Sequence, residues 1–121
     1  YESPIQIGTR LVVKDVEIRG QKIREGDAIV LMLAAANRDP GQFPDPDRFD
    51  ITRKDNRHLA FGYGIHFCLG APLARLEARL ALPTILKRFP AMRLRDDKLD
   101  WRASMVLRAV TNLPVVLGST E

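Results

Sequence analysis

The stretch Leu59–Gly70, LAFGYGIHFCLG, decides how the rest of the chain is interpreted. It contains Cys68, the single cysteine of the 121-residue chain, two residues after a histidine. Three glycines surround this cysteine: Gly62, Gly64 and Gly70. Glycine allows a positive φ and a close approach of other groups, at a cost of roughly 0.5–1 kcal/mol relative to alanine. The pattern therefore predicts a loop shaped around a ligand or a reacting group, because a buried structural cysteine needs no such glycines.

The most regular helical pattern in the chain follows directly after this loop. Apolar residues recur near a 3.6-residue period at Leu69, Leu73, Leu76, Leu80 and Leu86. This spacing predicts one long helix over residues 71–89. Pro72 suits the first turn, where a missing N–H costs nothing, whereas Pro83 would remove a hydrogen bond from the helix interior. We therefore expect a bend or a weakening of the helix near Arg79.

The segments on either side of the loop and helix predict short strands and one irregular stretch. Residues 5–33 alternate weakly and contain a turn at Glu25-Gly26, so they predict strands, as do residues 91–118. Residues 37–58 have almost no periodicity, and a structureless segment of that length is usually functional. The predicted fold class is α+β, with a meander at 37–58 and the cysteine loop at 59–70.

The composition excludes several classes of protein. Hydrophobic residues make up 45% and charged residues 28% of the chain, which is typical of one globular domain. No apolar run approaches the roughly 20 residues of a membrane span, so we expect no membrane association. The net charge is +4, and the 19 Lys and Arg residues are spread along the chain among 15 acidic residues. This mixed distribution argues against nucleic-acid binding. One cysteine cannot form an internal disulfide, and this favours a reducing, cytoplasmic location.

Cys68 is predicted to lie at the N-terminal edge of the helix, where free N–H groups and the helix dipole favour a thiolate. Three chemistries use a thiolate at such a place. A nucleophilic cysteine would need a base such as His66 or His58. Zinc would need about four ligands, whereas these two histidines and Cys68 supply three. An axial thiolate to haem iron would need Cys68 alone.

The run Phe61–Arg75, FGYGIHFCLGAPLAR, resembles the cysteine-ligand loop of bacterial cytochrome P450 enzymes, F-G-x-G-x-H-x-C-x-G-x-x-L-A-R, at every defined position. Residues 35–53, AANRDPGQFPDPDRFDITR, resemble the family's meander, with Pro46-Asp47-Arg48-Phe49 at its PERF-type element. Residues 3–10 and 104–114 resemble the strands beside the family's active site. The resemblance covers essentially all 121 residues and implies the C-terminal portion of the mainly helical cytochrome P450 fold.

The resemblance also implies a cofactor and the residues that bind it. Cys68 would be the axial thiolate ligand of haem b, the iron protoporphyrin of the family. Phe61 would pack beside the sulfur and limit the access of water. His66 and Arg10 would hold the haem propionates, since carboxylates need charged donors. The remaining members of the haem-binding loop would be Gly62, Gly64 and Gly70.

Two further surfaces follow from the same resemblance. A pocket for a hydrophobic organic substrate would be lined by Ile5, Gln6, Ile7, Val106 and Leu107. A basic face for an acidic electron donor, of the ferredoxin or flavodoxin type, would comprise Arg53, Lys54, Arg57, Arg75 and Arg79. The apolar stripe of the helix and the run from Ile29 to Ala36 would in addition favour self-association.

The chain departs from the family pattern in what it does not contain. The family's E-x-x-R sequence would lie just before Tyr1, so the Glu and Arg partners of Arg48 in the Glu-Arg-Arg cluster are not in this sequence. The oxygen-activating helix would lie further upstream. We therefore expect a truncated, haem-ligand portion of a monooxygenase that is inactive alone. The alternative is a non-catalytic haem-binding or haem-free interaction domain that assembles with a partner chain.

Overall fold

The computed structural model describes residues 2–118, which form two compact units. The first unit comprises the chain up to Ala60 together with Ser104–Arg108. The second unit comprises Phe61–Ala103 and the chain from Ala109 onward. The first unit has two antiparallel strand pairs, and the second has one such pair and the long helix that follows the cysteine loop.

Two nested hairpins open the first unit. Its strands are β1 (Gly8–Leu11), β2 (Val16–Ile18), β3 (Gln21–Ile23) and β4 (Ala28–Leu31). β1 pairs with β4 and β2 pairs with β3, both antiparallel. The Arg19-Gly20 turn joins β2 to β3 with φ of 49° and 78°. Positive φ at both central residues is what a two-residue turn needs to match the twist of its strands.

A second tight turn joins β3 to β4. Gly26 has a φ of 86°, and its N–H donates to the carbonyl of Val12 at 2.8 Å. The side chain of Asp27 accepts a hydrogen bond from the N–H of Arg24 at 2.9 Å. The turn at Glu25-Gly26 expected from the sequence therefore closes through a glycine in the left-handed region and a side-chain cap.

The apolar run at 28–36 is divided between β4 and a short helix, α1 (Leu33–Ala36). The N–H of Ala34 donates to the carbonyl of Gln6 at 3.0 Å, which ties the start of α1 to the segment before β1. Tertiary hydrogen bonding thus ends the strand at Leu31, although the residues beyond it are equally apolar.

Residues 37–58 contain turns but no helix or strand. Phe43 and Asn37 are buried, and the amide oxygen of Asn37 accepts a hydrogen bond from the N–H of Leu59 at 2.7 Å. The guanidinium of Arg53 donates to the carbonyls of Pro44 at 2.7 Å and Asp45 at 3.2 Å. Side chains therefore satisfy backbone groups that a sheet or helix would otherwise satisfy.

Residues 104–108 return to the first segment of the chain. The N–H of Gln6 donates to the carbonyl of Val106, and the N–H of Arg108 donates to the carbonyl of Pro4, both at 2.8 Å. Ile5 and Leu107 form an antiparallel bridge between these bonds.

A chain of alternating charges supports the same pairing. One carboxylate oxygen of Glu2 contacts Arg38 at 2.8 Å, and the other contacts Arg108 at 2.9 Å. Arg38 also forms an ion pair with Asp47 in the meander. Three separate segments of the first unit are thereby linked through one carboxylate and two guanidinium groups.

The second unit is built on α2 (Ala71–Arg88). α2 continues through Arg79 and Pro83 without interruption and ends one residue before the predicted end of the helix. The strands β5 (Arg93–Leu94) and β6 (Val115–Val116) pair antiparallel. No helix among residues 2–118 is long and apolar enough to cross a membrane.

The apolar side chains of α2 are exposed to solvent almost all round the helix. Ala71 is fully buried at its N-terminus. The exposed members are Leu73, Leu76, Leu80, Leu82, Ile85 and Leu86. A helix that is apolar on several faces is typical of the interior of a larger assembly.

Candidate functional site

The cysteine loop is closed by backbone hydrogen bonds. The N–H of Cys68 donates to the carbonyl of Phe61 at 2.8 Å, and the N–H of Phe67 donates to that of Gly64 at 3.0 Å. Gly64–His66 form a single 3-10 turn. Gly62 and Gly64 have φ of 73° and 64°, so the chain reverses inside the loop through two residues that adopt this conformation at no steric cost.

The surroundings of Gly62 are tighter than those of Gly64. A Cβ placed on Gly62 would lie 3.1 Å from the carbonyl oxygen of His66, whereas a Cβ on Gly64 would meet nothing within 4 Å. Gly62 therefore permits a close backbone approach as well as a positive φ.

Cys68 lies three residues before Ala71, the first residue of α2, and its thiol is exposed. Its carbonyl accepts a hydrogen bond from the N–H of Ala71 at 3.2 Å, which joins the loop to the first turn of the helix. Gly70 has an ordinary φ of −80°, and a Cβ there would lie 3.7 Å from the Cys68 sulfur. The absence of a side chain at Gly70 keeps the space beside the sulfur open.

Phe61 is half-buried, like Leu59 and Ala60 before it, whereas residues 63–70 are exposed. Its ring centroid lies 6.3 Å from that of Phe67, at an interplanar angle of 59°. The guanidinium carbon of Arg75, in the second turn of α2, lies 5.0 Å from the Phe61 ring centroid.

His66 is exposed at the end of the 3-10 turn. Across residues 2–118 no hydrogen bond joins His66 to Cys68. His58 accepts a hydrogen bond at Nδ1 from the N–H of Ala60 at 3.2 Å. Within the described part of the chain, no three His, Cys, Asp or Glu side chains gather to hold a metal ion, which argues against the zinc hypothesis.

The second residue predicted to hold a propionate is Arg10. It lies on β1 opposite Ile29, is exposed, and donates from Nη1 to the carbonyl of Thr9 at 2.7 Å. Arg10 belongs to the first unit and His66 to the second.

Four of the five residues predicted to line a substrate pocket are brought together in the first unit. The paired segments place Ile5 beside Leu107 and Gln6 beside Val106. The Gln6 side chain turns back to donate to the carbonyl of Ser3. Ile7 lies one residue further along, just before β1. These side chains are partly exposed rather than buried as a core would require.

The five basic residues predicted for a docking face differ in their surroundings. The guanidinium of Arg53 donates hydrogen bonds to the carbonyls of Pro44 and Asp45 in the meander. Arg57 forms an ion pair with Asp55 at 3.1 Å, and the hydrogen bond to this carboxylate raises the pKa of Arg57. Lys54 and Arg79 are exposed, and the guanidinium of Arg75 lies over the ring of Phe61.

Arg48, which resembles the third member of the family's cluster, lines a cavity of about 340 Å³ within the meander. Phe43, Arg53 and His58 also line this cavity. Asp50 lies at its edge, and hydrogen bonds from the side chain and backbone of Thr52 lower the pKa of Asp50. The sequence motif indicated Arg48 but gave no sign of the cavity, which depends on turns that have no periodic pattern.

Comparisons with known proteins agree on one family. The family model "Cytochrome P450" matches residues 1–111. The chain is 50% identical to the biotin biosynthesis cytochrome P450 of Bacillus subtilis over 95% of its length, and 49% identical to 6-deoxyerythronolide B hydroxylase of Saccharopolyspora erythraea over 97%. It spans 29% and 30% of the length of these two relatives.

Solved structures give the same result. The crystal structure of P450BioI in complex with hexadec-9Z-enoic acid ligated acyl carrier protein superposes with a TM-score of 0.92 at 50% identity. That of the tirandamycin C-bound P450 monooxygenase TamI superposes with a TM-score of 0.90 at 47% identity. The match covers 95% and 97% of this chain, and 30% of each of those chains.

Proposed function

The chain belongs to the cytochrome P450 family, and on that premise we propose that Cys68 is the axial thiolate ligand of haem b. One observation carries the proposal. The Cys68 thiol is exposed in a loop whose backbone is closed onto Phe61, beside a glycine that leaves the sulfur uncovered.

The residues present fit a haem. A cysteine thiolate is a soft ligand suited to iron, and haem needs only one such ligand from the protein on this side. Phe67 and Leu69 flank the cysteine with exposed apolar side chains, which suits the apolar face of a porphyrin. When bound, haem supplies the iron centre at which the O–O bond of dioxygen is cleaved, a reaction that thiolate electron donation favours.

The chain's own residues have distinct parts in this proposal. Gly62 and Gly64 shape the turn that presents Cys68, and the ring of Phe61 limits water near the sulfur. The imidazole of His66 and the guanidinium of Arg10 would donate hydrogen bonds to the propionates of a bound haem, and Arg10 offers a fork that matches a carboxylate. The paired segments at Ile5 and Leu107 contribute an apolar wall to a substrate pocket.

The activity of the whole protein is a wider proposal, because the chain spans about 30% of the length of its relatives. We propose a cytoplasmic monooxygenase acting on a hydrophobic organic substrate. Two relatives described above support this substrate class, since one is a hydroxylase of 6-deoxyerythronolide B and another is complexed with an acyl carrier protein bearing hexadec-9Z-enoic acid.

We also propose that electrons come from an acidic ferredoxin or flavodoxin. Arg75 and Arg79 lie on the helix that begins just after Cys68, so a positive patch there would raise the encounter rate of an acidic donor near the thiolate. In the first unit, Lys54 is exposed, whereas the charge of Arg57 is partly offset by Asp55.

The test is the spectrum of the reduced, CO-bound protein that contains this chain. We expect a band of thiolate type in the parent, its loss in Cys68→Ala, and its retention in the control His66→Ala, which removes only a propionate contact. A band of histidine type in the parent, or an unchanged band in Cys68→Ala, would contradict the proposal.

A second candidate is a non-catalytic interaction domain that assembles with a partner chain. The exposed apolar side chains of α2 favour it, because a helix apolar on several faces needs a partner. Haem content and the mass of the purified species separate the two candidates. A haem-free complex of defined mass would favour the interaction domain.

A further inference from the structure

Arg75 has a contact that a docking residue would not need. Its guanidinium carbon lies 5.0 Å from the ring centroid of Phe61, within the roughly 6 Å range of a cation–π interaction. The planar guanidinium also stacks well on an aromatic face. The side chain of Arg75 is therefore engaged with the loop as well as facing solvent.

Phe61 connects this contact to the cysteine in two ways. Its carbonyl accepts the hydrogen bond from the N–H of Cys68 at 2.8 Å. Its ring packs against Phe67, the residue before Cys68, at a centroid distance of 6.3 Å. A shift of Phe61 therefore alters both the backbone and the aromatic surroundings of the cysteine.

Arg79 provides a natural comparison for Arg75. It lies one helical turn further along α2 and is also exposed. Within residues 2–118 it makes no contact with an aromatic ring. If Arg75 acted in docking through its charge alone, Arg75 and Arg79 would be equivalent. Of these two arginines, only Arg75 contacts Phe61.

We propose that Arg75 is a positioning residue for the cysteine loop: its guanidinium, in contact with the Phe61 ring, holds that ring in place and thereby keeps water from the Cys68 thiolate. The inference rests on the proposed function, because it concerns the stability of thiolate ligation. It assigns Arg75 a role that does not require an electron donor to be present.

The experiment uses the haem-loaded protein that contains this chain, reduced chemically without any donor protein and saturated with CO. Arg75→Met removes the guanidinium but keeps a long side chain that favours helix, and Arg79→Met is its matched control. We expect the thiolate-type band to decay several-fold faster in Arg75→Met than in the parent. Arg79→Met should decay at the rate of the parent.

A double-mutant cycle with Phe61→Leu shows whether the effect passes through the ring. If Arg75 acts through Phe61, Arg75→Met adds no further acceleration in the Phe61→Leu background. Equal rates for Arg75→Met and Arg79→Met, or fully additive effects in the cycle, would overturn the inference.

If Arg75→Met loses haem during purification, the milder substitution Arg75→Lys is measured instead. Arg75→Lys keeps a positive charge that can still lie over the ring but lacks the planar guanidinium, so we expect a decay rate between those of the parent and Arg75→Met, and a rate faster than that of Arg75→Met would overturn the inference. A parent without any thiolate-type band contradicts the proposed function itself. A parent with that band but no difference between Arg75→Met and Arg79→Met contradicts only the role of Arg75.

Discussion

At the scale of single residues, the three glycines of the cysteine loop have three different reasons to be glycine. Gly62 combines a φ of 73° with a backbone oxygen close to where a Cβ would lie, and Gly64 has a φ of 64° in open space. Gly70 has a helical conformation and leaves room beside a sulfur. The motif alone predicts the loop but cannot assign these reasons, because they depend on which carbonyl folds back onto which residue.

The difference between the first two glycines is measurable. Gly64→Ala should cost about 1–2 kcal/mol, the usual penalty for a side chain in the left-handed region. Gly62→Ala should cost about 1–3 kcal/mol more, because the His66 carbonyl must also move, as in other overpacked sites. Urea unfolding of the protein containing each variant measures both, and equal losses would show that the close approach has no energetic importance.

At the scale of elements, the apolar periodicity of α2 predicted where the helix begins but not how it responds to its interior proline. The leucine spacing predicted a helix from Ala71, and α2 begins there. The interior proline led us to expect a bend or weakening near Arg79, yet the helix continues past Pro83 for five more residues, to Arg88. A proline removes one hydrogen bond locally, and the helical hydrogen bonds on either side of it keep the helix intact.

The two prolines of α2 should therefore respond differently to replacement. Pro83→Ala restores an interior N–H donor and should stabilise the protein by about 1–3 kcal/mol. Pro72→Ala, in the first turn, restores an N–H that has no intrahelical acceptor and should change stability by less than about 0.5 kcal/mol. Thermal unfolding monitored by circular dichroism compares them, and an equal response at the two positions would contradict this reasoning.

Other elements could not be predicted from the sequence pattern. The apolar run at 28–36 has one composition but becomes a strand and then a short helix, because Ala34 bonds to Gln6 across the first unit. The cysteine loop predicted from the sequence also contains a 3-10 turn at Gly64–His66, which the sequence did not predict. In the first case the deciding hydrogen bond joins residues that no local pattern connects.

At the scale of the whole molecule, the surface of the second unit is unusually apolar. Leu73, Leu76 and Leu80 are 59%, 53% and 62% exposed along one helix. Contiguous exposed apolar residues usually mark an interface or a tendency to aggregate.

A polypeptide of these 121 residues should therefore self-associate through α2. Replacing Leu73 and Leu76 by Gln should shift its sedimentation toward the monomer, because the apolar area that drives association is reduced. The control is Val13→Gln, which removes an apolar side chain that is 79% exposed in the first unit. A parent that remains monomeric at high concentration and binds no hydrophobic dye would contradict the expectation.

The pairing of Gln6 with Val106 also sets the order of events during synthesis. These partners are roughly 100 residues apart, and the entropy lost in closing a loop grows with its length. A ribosome adding about 5–20 residues per second leaves the first segment waiting about 5–20 seconds for its partner. The cysteine loop and α2 are made within that interval, so the haem ligand leaves the ribosome before the first unit can close.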